Sequence, residues 1–497
     1  MNRLLVALLL LAAPAAAVEV TVWHTNDVHG WLMARPAKDD PKKLVGGAPA
    51  FAALLARHEG PRLLLDAGDW WQGTPEGSLT HGAVMAEYFN ALGYDAVVVG
   101  NHEYDAGADK LKALIPRIAA PVLSANTRDA KSGKRVEWVR PWVVKEVAGV
   151  KFGIFGLTTT GMKRLSFPKN IAGLSFRREA DEARDAVAEL KKAGAEVIIA
   201  LTHVGFEQDR GPKYEGDQTI AREVPGIDLI VGGHSHTFLR EAWREPKNGT
   251  LVTQAGQYLF AAGKTTLVID DKTRKVVSSS DELIDLDPAK GEDEKVKALV
   301  SARSAEVDRV FSVVLATAAA AFNRESDRES ALGAWMTDCY RSRFSGDLAL
   351  QNGGGIRADL PAGPVTLRSL FNVMPFDNYV VKLTMKGADV RQVLDHGVGQ
   401  ARMAQFSGAA VTARRKAPAG ERLSSAFVGG KPLDDAKEYA LVTLDFIVNG
   451  GDGFSVFDRA VRREETEVLA RDALRACAES QKTLALPTMG RITLSED

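Results

Sequence analysis

Cysteine is scarce in this sequence: Cys339 and Cys477 are the only two among 497 residues. Two cysteines can form at most one disulfide. Cys339 falls in a predicted helix from Ala331 to Tyr340, where a buried free thiol fits equally well, and the sequence does not place the two Cα atoms within bridging distance. The pairing is therefore left open by the sequence, and neither cysteine is assigned a function.

The sequence also lacks an excess of either charge. It has 63 lysines and arginines against 64 aspartates and glutamates, which gives a formal net charge of −1. A polybasic face for duplex nucleic acid is therefore not expected. If the protein binds a nucleotide, we expect a small one that is held in a local pocket.

A hydrophobic run long enough to anchor the chain is missing at the N-terminus, where the apolar run from Leu4 to Leu11 is too short to span a bilayer. This run follows the positive start Met1-Asn2-Arg3 and precedes the mostly small residues from Ala12 to Ala17. That pattern is typical of a secretory signal peptide, with cleavage after Ala17. We therefore expect a periplasmic or secreted protein without a stable membrane anchor. We also expect a monomer, because no association segment is visible.

The chain is too long for one hydrophobic core, so at least two domains are expected. In its first half, short apolar runs of strand type alternate with helical patterns, which predicts an α/β fold. The strand-like runs are Val18 to Trp23, Leu63 to Leu65, Ala96 to Val99, Val197 to Leu201 and Leu229 to Val231, and the helical patterns include Ala48 to Arg57, Met85 to Leu92 and Ala180 to Ala193. Because α/β sheets present ligands at the carboxyl ends of their strands, we expect the polar residues after these runs to converge.

A charged segment that contains proline and glycine separates the two halves, between residues 286 and 293. It predicts a linker, followed by a helix from about Glu294 to Val310. The expected organisation is a signal peptide over 1–17, a first domain over 18–285, a linker and connecting helix over 286–310, and a second domain over 311–497.

Side chains that commonly bind metals follow the apolar runs of the first half. They are Asp27, His29, Asp69, Asn101, His203, His234 and His236. A two-metal hydrolytic centre needs about seven ligands, one of them bridging, and its ions lie roughly 3.5–4 Å apart, hold a hydroxide between them and clamp phosphoryl oxygens. Mixed nitrogen and oxygen ligands favour Mn²⁺, Zn²⁺, Fe or Co²⁺ over Ca²⁺. Each motif is weak alone, but their joint occurrence predicts a two-metal phosphoesterase.

The blocks around these residues resemble those of the calcineurin-like metallophosphoesterases and, in this order, those of the 5'-nucleotidase family. The blocks are Asn26-Asp27-Val28-His29-Gly30, Gly68-Asp69-Trp70-Trp71-Gln72-Gly73-Thr74, Gly100-Asn101-His102-Glu103-Tyr104-Asp105, Thr202-His203 and Gly233-His234-Ser235-His236. The resemblance implies an N-terminal four-layer α/β/β/α sandwich and a smaller C-terminal α+β substrate-binding domain. It implies one ion site of Asp27, His29 and His236, a second of Asn101, His203 and His234, and Asp69 as the bridge. It also implies that His102 is catalytic, with its ring oriented by Asp105, and that it stabilises developing charge or protonates the leaving oxygen.

The second half supplies candidates for a nucleoside site. A glycine-rich turn leads to Arg357, whose guanidinium can bind phosphate through two hydrogen bonds, and two phenylalanines can stack on both faces of a base. By the resemblance, Asn352 and Arg357 correspond to phosphate and ribose contacts, Phe376 and Phe446 to the base-stacking pair, and Asp452 to the acceptor for ribose hydroxyls. The implied activity is metal-dependent hydrolysis of nucleoside 5'-phosphates to nucleoside and phosphate.

The sequence departs from the family pattern at one phosphate-binding arginine. The family's further phosphate-binding arginine lies just upstream of the first helix of the second domain, where this sequence has Ser326. Arg324 and Arg328 lie nearby, and we expect Arg328 to take this role.

Several alternative functions stay open. A 2',3'-cyclic nucleotide phosphodiesterase of the same superfamily typically carries asparagine at the position of Asp105, which favours the nucleotidase. A UDP-sugar hydrolase is not excluded by any residue. A thiosulfohydrolase of the same fold would have no use for Phe376 and Phe446. A non-catalytic nucleotide-binding module would be expected to lose metal ligands, whereas all seven are present.

Overall fold

Two six-stranded sheets form the centre of the first half of the protein. The computed structural model describes residues 17–37, 40, 42–206 and 216–495, so residues 1–16 of the predicted signal peptide lie outside the described residues. The central strands of both sheets run parallel to one another and are almost entirely buried. Because both faces of these strands are covered, they read as unbroken apolar runs in the sequence.

All five strand-like runs of the sequence are strands in these sheets. The first sheet contains, in spatial order, Val276–Asp285, Ala261–Asp270, Ala17–Thr25, Arg62–Asp66, Ala96–Val98 and Val122–Leu123. The second contains Trp243–Arg244, Leu251–Gln254, Leu229–Gly232, Val197–His203, Val150–Thr158 and Trp142–Val147. The outermost strands on one side of the first sheet and on both sides of the second pair antiparallel.

The two sheets pack face to face and carry helices on their outer faces. The inner faces meet in an aliphatic core that includes Val20, Leu63, Ile154 and Val197. Helices Ala48–Ala56 and Ala83–Leu92 belong to the core on the outer side of the first sheet, and Glu179–Lys192 and Asp217–Glu223 to the core on the outer side of the second. This is the predicted four-layer α/β/β/α sandwich, which is confirmed.

Shorter elements complete the first half. The remaining helices are Pro75–Leu79, Ala108–Leu114 and Met162–Leu165, with 3-10 turns at His102–Tyr104, Ile115–Arg117, Pro168–Ile171 and Pro288–Lys290. Two small ribbons pair Leu174–Phe176 with Thr127–Asp129 and Arg35–Pro36 with Leu44–Val45. Among the described residues of the whole chain, every helix is too short or too polar to cross a membrane.

A long helix, Glu294–Phe311, connects the two halves. Its buried residues Val296 and Val300 join a core of the first half, and Arg303 forms an ion pair with Glu87 of that half at 2.8 Å. The connecting helix is therefore attached to the first half along one face. The domain limits at 285 and 310 stay predictions.

The second half is built from three smaller sheets and five helices around its own core. The sheets are Gln405–Ser407, Leu348–Gln351, Glu438–Leu444, Tyr379–Lys386 and Arg462–Leu469; Gly363–Thr366, Val314–Ala318 and Thr483–Leu484; and Lys431–Pro432, Leu423–Val428, Ala409–Ala413 and Ile492–Leu494. The helices are Ala331–Arg343, Leu367–Val373, Gly387–Gly399, Asp445–Val448 and Ala470–Gln481, with 3-10 turns at Gly353–Gly355, Gly451–Gly453 and Val456–Arg459. A second, α+β domain is thus confirmed.

Cys339 and Cys477 form a disulfide. Each lies in a helix, Ala331–Arg343 and Ala470–Gln481 respectively, and the bond joins positions that are 138 residues apart in sequence. Cross-linking such distant positions restricts the unfolded chain strongly. The question that the sequence left open is therefore answered in favour of pairing.

Replacing both cysteines by serine is expected to lower the free energy of unfolding by about 2–5 kcal/mol, because the unfolded chain regains the entropy of an open loop. Urea unfolding of the Cys339→Ser/Cys477→Ser variant measures this loss. An unchanged unfolding midpoint, with the wild-type disulfide verified by intact mass, would contradict the expectation.

Candidate metal centre and nucleoside cavity

The predicted metal ligands meet at one rim of the sandwich, where strands of both sheets end. Asp27 and His29 follow the strand Ala17–Thr25, and Asp69 follows Arg62–Asp66. His203 ends the strand Val197–His203, while His234 and His236 follow Leu229–Gly232. Asn101 and His102 follow Ala96–Val98. The expected convergence of strand ends is therefore present in the structure.

The side chains fall into two groups that share Asp69. In the first group, His236 Nε2 lies 3.1 Å from Asp27 Oδ1 and 3.1 Å from His29 Nε2. In the second, His203 Nε2 lies 3.0 Å from Asp69 Oδ2, and His234 has a ligand atom within 4.8 Å of both. Asp69 Oδ2 is also 3.8 Å from His29 Nε2, so its carboxylate lies between the groups.

Three buried ligand atoms in these groups make no well-oriented hydrogen bond among the described residues, although two of them lie close to another ligand atom: Asp27 Oδ1, Asn101 Oδ1 and His203 Nε2. A buried polar atom without a hydrogen bond destabilises the folded protein, so several such atoms at one point indicate a site for a bound group. Two carboxylates, an amide oxygen and four imidazoles form the nitrogen and oxygen set that suits transition-metal ions. The residues present therefore fit divalent metal ions.

Two of the histidines are held in the form that a metal needs. His29 Nδ1 donates to the carbonyl oxygen of Gln72 at 2.7 Å, and His203 Nδ1 donates to that of Ala67 at 2.6 Å. A carbonyl can only accept, so the proton is on Nδ1 and Nε2 is directed to the centre. Burial lowers the pKa of His29 to about 4, which keeps its ring neutral at neutral pH.

The backbone at this rim is unusual. Five of the seven candidate ligands have a left-handed conformation, with φ of 51° at Asp27, 52° at His29, 58° at Asp69, 80° at His234 and 60° at His236. Non-glycine residues in this region cost about 1–3 kcal/mol each and tend to accumulate at functional sites. The turns that follow the strands thus direct these side chains to the centre at the expense of local strain.

Glu103 fixes two of the ligand-bearing turns. Its Oε2 accepts hydrogen bonds from the backbone N–H groups of Asp69 at 3.0 Å and Gly100 at 2.7 Å, and its Oε1 accepts one from Trp70 at 2.7 Å. Burial, together with the charge of Asp69, raises the pKa of Glu103 to about 8. The sequence analysis gave Glu103 no role, because its function here is to bind backbone rather than ligand.

His102 lies beside the centre with its ring oriented by a carboxylate. Its Nδ1 is 2.6 Å from Asp105 Oδ2, and its backbone N–H donates to Asp69 Oδ1 at 2.9 Å. Burial acts to lower the pKa of His102, but the charges of Asp105 and Asp69 outweigh it and raise the pKa above its ordinary value. The free Nε2 can therefore carry a proton toward a ligand in the cavity.

A cavity of about 1030 Å³ opens from this centre and is lined by both halves of the protein. The first half contributes Asp69, Asn101, His102, His234 and His236, and the second contributes Asn352, Arg357, Phe376, Phe446 and Asp452. The five residues of the second half are all of the predicted substrate-binding residues except Arg328. A ligand in this cavity can contact the metal centre and the second domain at once.

The second-domain residues are themselves interlinked. Asn352 Nδ2 donates to Asp452 Oδ2 at 2.6 Å, although the two are 100 residues apart. The Phe376 ring stacks on His102 with centroids 5.7 Å apart, and Phe446 packs edge-on against Phe167 at 6.1 Å. Arg357 Nη2 lies 3.2 Å from His29 Nε2, so a guanidinium of the second half lies against the metal centre of the first.

Comparison with known proteins agrees with this geometry. Residues 20–238 match the family model of the calcineurin-like phosphoesterases, and residues 311–459 match that of the 5'-nucleotidase C-terminal domain. A snake venom 5'-nucleotidase from Gloydius brevicauda is 31% identical, in an alignment that covers 89% of this chain and 83% of the relative. Protein UshA from Escherichia coli is 28% identical, with 94% of this chain and 92% of the relative covered.

A solved structure of a 5'-nucleotidase precursor from Thermus thermophilus superposes with a TM-score of 0.88 at 30% identity and covers 96% of this chain and 100% of its own. The chain belongs to the 5'-nucleotidase family. Membership makes it a metallophosphoesterase that hydrolyses phosphoric monoesters, with divalent metal ions as cofactors. A sulfate thiohydrolase SoxB, also from Thermus thermophilus, has a TM-score of 0.81 at 19% identity, which shows a shared fold alone.

The structure does not bring Arg328 to the cavity. Its side chain is 67% exposed, and its Nε pairs with the neighbouring Asp327 at 3.1 Å. The segment before the helix Ala331–Arg343 turns this guanidinium toward solvent, so the expected position of Arg328 differs from the observed one.

A different arginine, Arg402, lines the cavity, and the sequence analysis missed it. Its Nη2 lies 3.5 Å from His236 Nδ1. The charges of Arg357, Arg324, Arg402 and Arg35 outweigh the effect of burial and lower the pKa of Tyr258, which lies beside His29 and His236, to about 8. Arginine side chains therefore add positive charge to this side of the candidate metal centre.

The two halves also contact each other directly around the centre. Gln72 Nε2 donates to the carbonyl oxygen of Pro375 at 3.0 Å, and Tyr258 Oη donates to that of Arg357 at 3.3 Å. The Arg368 guanidinium forms an ion pair with Glu76 at 2.6 Å. These bonds hold the second half against the metal-binding rim.

Proposed function

We propose that the protein is an exported 5'-nucleotidase that uses two divalent ions to convert nucleoside 5'-phosphates into nucleoside and phosphate. One observation carries the proposal: a single cavity has the metal-ligating cluster at one end and a pair of phenylalanines with Asn352 and Asp452 at the other. A phosphate ester with its phosphate at the metal-ligating end needs a base or another flat group to fill the end of the cavity that holds the phenylalanines.

Two ion sites are proposed. Asp27, His29 and His236 hold one ion, Asn101, His203 and His234 hold the other, and Asp69 bridges them. Mn²⁺, Zn²⁺ and Co²⁺ suit this mixed set of nitrogen and oxygen ligands. When bound, such ions would lower the pKa of a water molecule and neutralise charge on the phosphoryl group.

His102 is proposed as the general acid of the reaction. Water attacks phosphorus, the bond from phosphorus to the 5' oxygen breaks, and the departing oxygen takes the proton that His102 Nε2 carries. The Asp105 carboxylate, 2.6 Å from His102 Nδ1, fixes the ring orientation and favours its protonated form. Arg357 supplies a guanidinium to the phosphoryl oxygens, consistent with its position against His29.

The nucleoside is proposed to bind in the second domain. Phe376 and Phe446 line the cavity as the base-stacking pair, and the Asp452 carboxylate is placed to accept hydrogen bonds from ribose hydroxyls. Asn352 positions that carboxylate through its 2.6 Å hydrogen bond, and its own amide oxygen accepts a hydrogen bond from Gln351 Nε2 at 2.9 Å.

Export is proposed from the signal-like segment together with the disulfide. Disulfides persist in oxidising compartments such as the periplasm, and Cys339 and Cys477 are bonded. We propose a periplasmic or secreted monomer that acts on small nucleotides rather than duplex nucleic acid. Mass spectrometry of the exported protein should find Val18 as its first residue.

The test is phosphate release by purified protein with Mn²⁺, from AMP, ADP, ATP, UDP-glucose, 2',3'-cyclic AMP and p-nitrophenyl phosphate. We expect AMP to yield adenosine and phosphate far faster than p-nitrophenyl phosphate reacts, and a chelator to stop the reaction. Re-addition of Mn²⁺, Zn²⁺ or Co²⁺ to chelator-treated protein then ranks the metals.

Two outcomes would overturn the proposal. Preference for the cyclic nucleotide or for UDP-glucose would mean that the substrate class is wrong, although the metal chemistry would stand. Absence of turnover on all six compounds, with metal bound, would mean that the cavity binds its ligand without hydrolysing it.

A further inference from the structure

Gln254 is buried behind the metal centre and belongs to none of the motifs of the sequence. It ends the strand Leu251–Gln254, which pairs in parallel with Leu229–Gly232 in the second sheet. The register places it beside the last residue of that neighbouring strand, where the chain enters the turn that carries His234 and His236. Gln254 is only 1% exposed, so its amide faces protein rather than water.

The amide of Gln254 binds this turn at three points. Nε2 donates to the carbonyl oxygen of Gly233 at 3.1 Å, and Oε1 accepts hydrogen bonds from Ser235 Oγ at 2.9 Å and from the backbone N–H of Thr237 at 2.6 Å. A carbonyl oxygen can only accept and a backbone N–H can only donate, so these two partners fix the orientation of the amide. We call residues 233–237 the histidine turn. One side chain thus binds the first, middle and last residues of the histidine turn.

The histidine turn needs such support, because its backbone is strained. His234 and His236 have φ of 80° and 60°, a left-handed conformation that is uncommon for residues other than glycine. Strained conformations persist only where the surrounding structure holds them. His234 belongs to one proposed ion site and His236 to the other, so a shift of the histidine turn would disturb both sites.

A third ligand depends on the same turn. The backbone N–H of His234 donates to Asp27 Oδ2 at 2.9 Å, and Asn26 Nδ2 donates to the same oxygen at 2.7 Å. With Oδ2 engaged in this way, Oδ1 is the oxygen that faces His236 Nε2, 3.1 Å away. Gln254 therefore acts, through the histidine turn, on three of the seven candidate ligands.

We propose that Gln254 is a positioning residue of the metal centre, which sets the affinity for the divalent ions by holding the histidine turn in its strained conformation. The inference rests on the proposed function, because it requires ions at the two proposed sites. Replacing a residue that orients metal ligands without touching the metal typically costs about 10- to 100-fold in metal affinity or activity.

The experiment measures ion binding independently of turnover. Mn²⁺ is titrated by calorimetry into the metal-free wild type and into four variants: Gln254→Met, Ser235→Ala, the combination of these two, and the control Gln405→Met. Methionine keeps the length of glutamine but lacks its amide, so Gln254→Met removes all three bonds to the histidine turn. Ser235→Ala removes one of them. Urea unfolding of the metal-free proteins verifies that each variant is folded.

Gln405 provides a matched control in the second half of the protein. It is fully buried, and its amide also makes three hydrogen bonds. Its Oε1 accepts from the backbone N–H of Ser330 at 2.8 Å, and its Nε2 donates to the carbonyl oxygens of Arg328 at 3.0 Å and Met403 at 3.2 Å. Gln405→Met therefore removes as many buried hydrogen bonds as Gln254→Met does, but in the half that carries none of the candidate metal ligands. A loss of metal affinity that is confined to Gln254→Met then reports on the histidine turn rather than on stability in general.

Gln254→Met is expected to weaken Mn²⁺ binding by about 10- to 100-fold. Ser235→Ala should weaken it less. The loss in the combined variant should be smaller than the product of the two single losses, because both residues act on the same turn. Gln405→Met should bind Mn²⁺ like the wild type.

The positioning role would be overturned by wild-type Mn²⁺ affinity in folded Gln254→Met, or by an equal loss of affinity in Gln405→Met. If Gln254→Met did not fold, wild-type affinity in Ser235→Ala would overturn it. Because ion binding is measured without substrate, a wild type that binds Mn²⁺ but hydrolyses no nucleotide would contradict the proposed function alone.

Discussion

Replacing Asp69 by asparagine is expected to lower kcat/KM for AMP by about 10³-fold or more and to reduce the bound metal below two ions per chain. Among the described residues, Asp69 supplies the carboxylate that lies between both groups of ligands, 3.0 Å from His203 Nε2 and 3.8 Å from His29 Nε2. Asparagine keeps the shape but removes the charge that a bridging ligand supplies. Metal-ion catalysis is worth several kcal/mol, and each 1.36 kcal/mol is about a tenfold change in rate.

Elemental analysis of the purified variant and phosphate release from AMP measure the two effects of Asp69→Asn together. Asp109→Asn is a suitable control, because this aspartate is 96% exposed on the helix Ala108–Leu114 and makes only a surface ion pair with Lys112. Two ions retained by Asp69→Asn, with wild-type kcat, would contradict the bridging role.

Replacing His102 by glutamine is expected to lower kcat for AMP by about 10²- to 10⁴-fold, the usual contribution of a general acid. KM should change less than kcat, because Phe376 loses its stacking partner His102, whereas Phe446 packs against Phe167 and keeps its position. His102 also lies within 4.8 Å of ligand atoms of His29 and Asp69, so it is close enough to hold an ion itself. Metal content separates the roles: a general acid can be removed without loss of metal, whereas a ligand cannot.

The leaving group provides a further control for His102. Nitrophenolate departs without a proton, whereas the 5' oxygen of ribose needs one, so the loss on p-nitrophenyl phosphate should be much smaller than the loss on AMP. Equal losses on both substrates would mean that His102 acts on structure or metal rather than on the departing oxygen. Asp105→Asn should also lower kcat more on AMP than on p-nitrophenyl phosphate, but both losses should be smaller than those of His102→Gln.

The α/β character of the first half and the convergence of polar residues at its strand ends were predictable from the residues, whereas the two-sheet sandwich was implied by the family resemblance. Buried parallel strands read as apolar runs, and the first residues after Leu63 to Leu65 or Leu229 to Val231 must lie at the rim where strands end. The same logic placed Asp69, His234 and His236 near one another.

The conformation of the rim was not predictable from residue types. A left-handed backbone is uncommon outside glycine, and although aspartate and histidine adopt it more often than most residues, residue type alone does not single out Asp27, His29 and Asp69. Such strain is maintained by long-range contacts, for example the three N–H groups that Glu103 binds. Glu103 binds backbone N–H groups rather than a ligand, so a search of the sequence for metal-binding residue types does not identify its role.

The arginines show a second limit of the sequence. Arg328 was expected at the phosphate because it is near the right place along the chain, but its side chain is exposed, whereas Arg402 reaches the cavity. The approach of Arg402 depends on how the segment 400–403 packs on Gly353, about fifty residues earlier in the chain. Contacts between distant segments are set by tertiary packing, which local spacing does not report.

The measurement that tests the account most directly is the preference for AMP over ribose 5-phosphate in the wild type and in Phe446→Ala. Phe446 lines the cavity and packs against Phe167, whereas the rings of His29 and Phe376 contact His102, so removal of Phe446 should spare the chemistry. Stacking is worth about 1–3 kcal/mol per base, so kcat/KM for AMP should fall about 5- to 100-fold while that for ribose 5-phosphate stays unchanged. An unaltered preference for AMP in the variant would contradict the claim that the second domain recognises the base of a nucleotide whose phosphate lies on the metal centre.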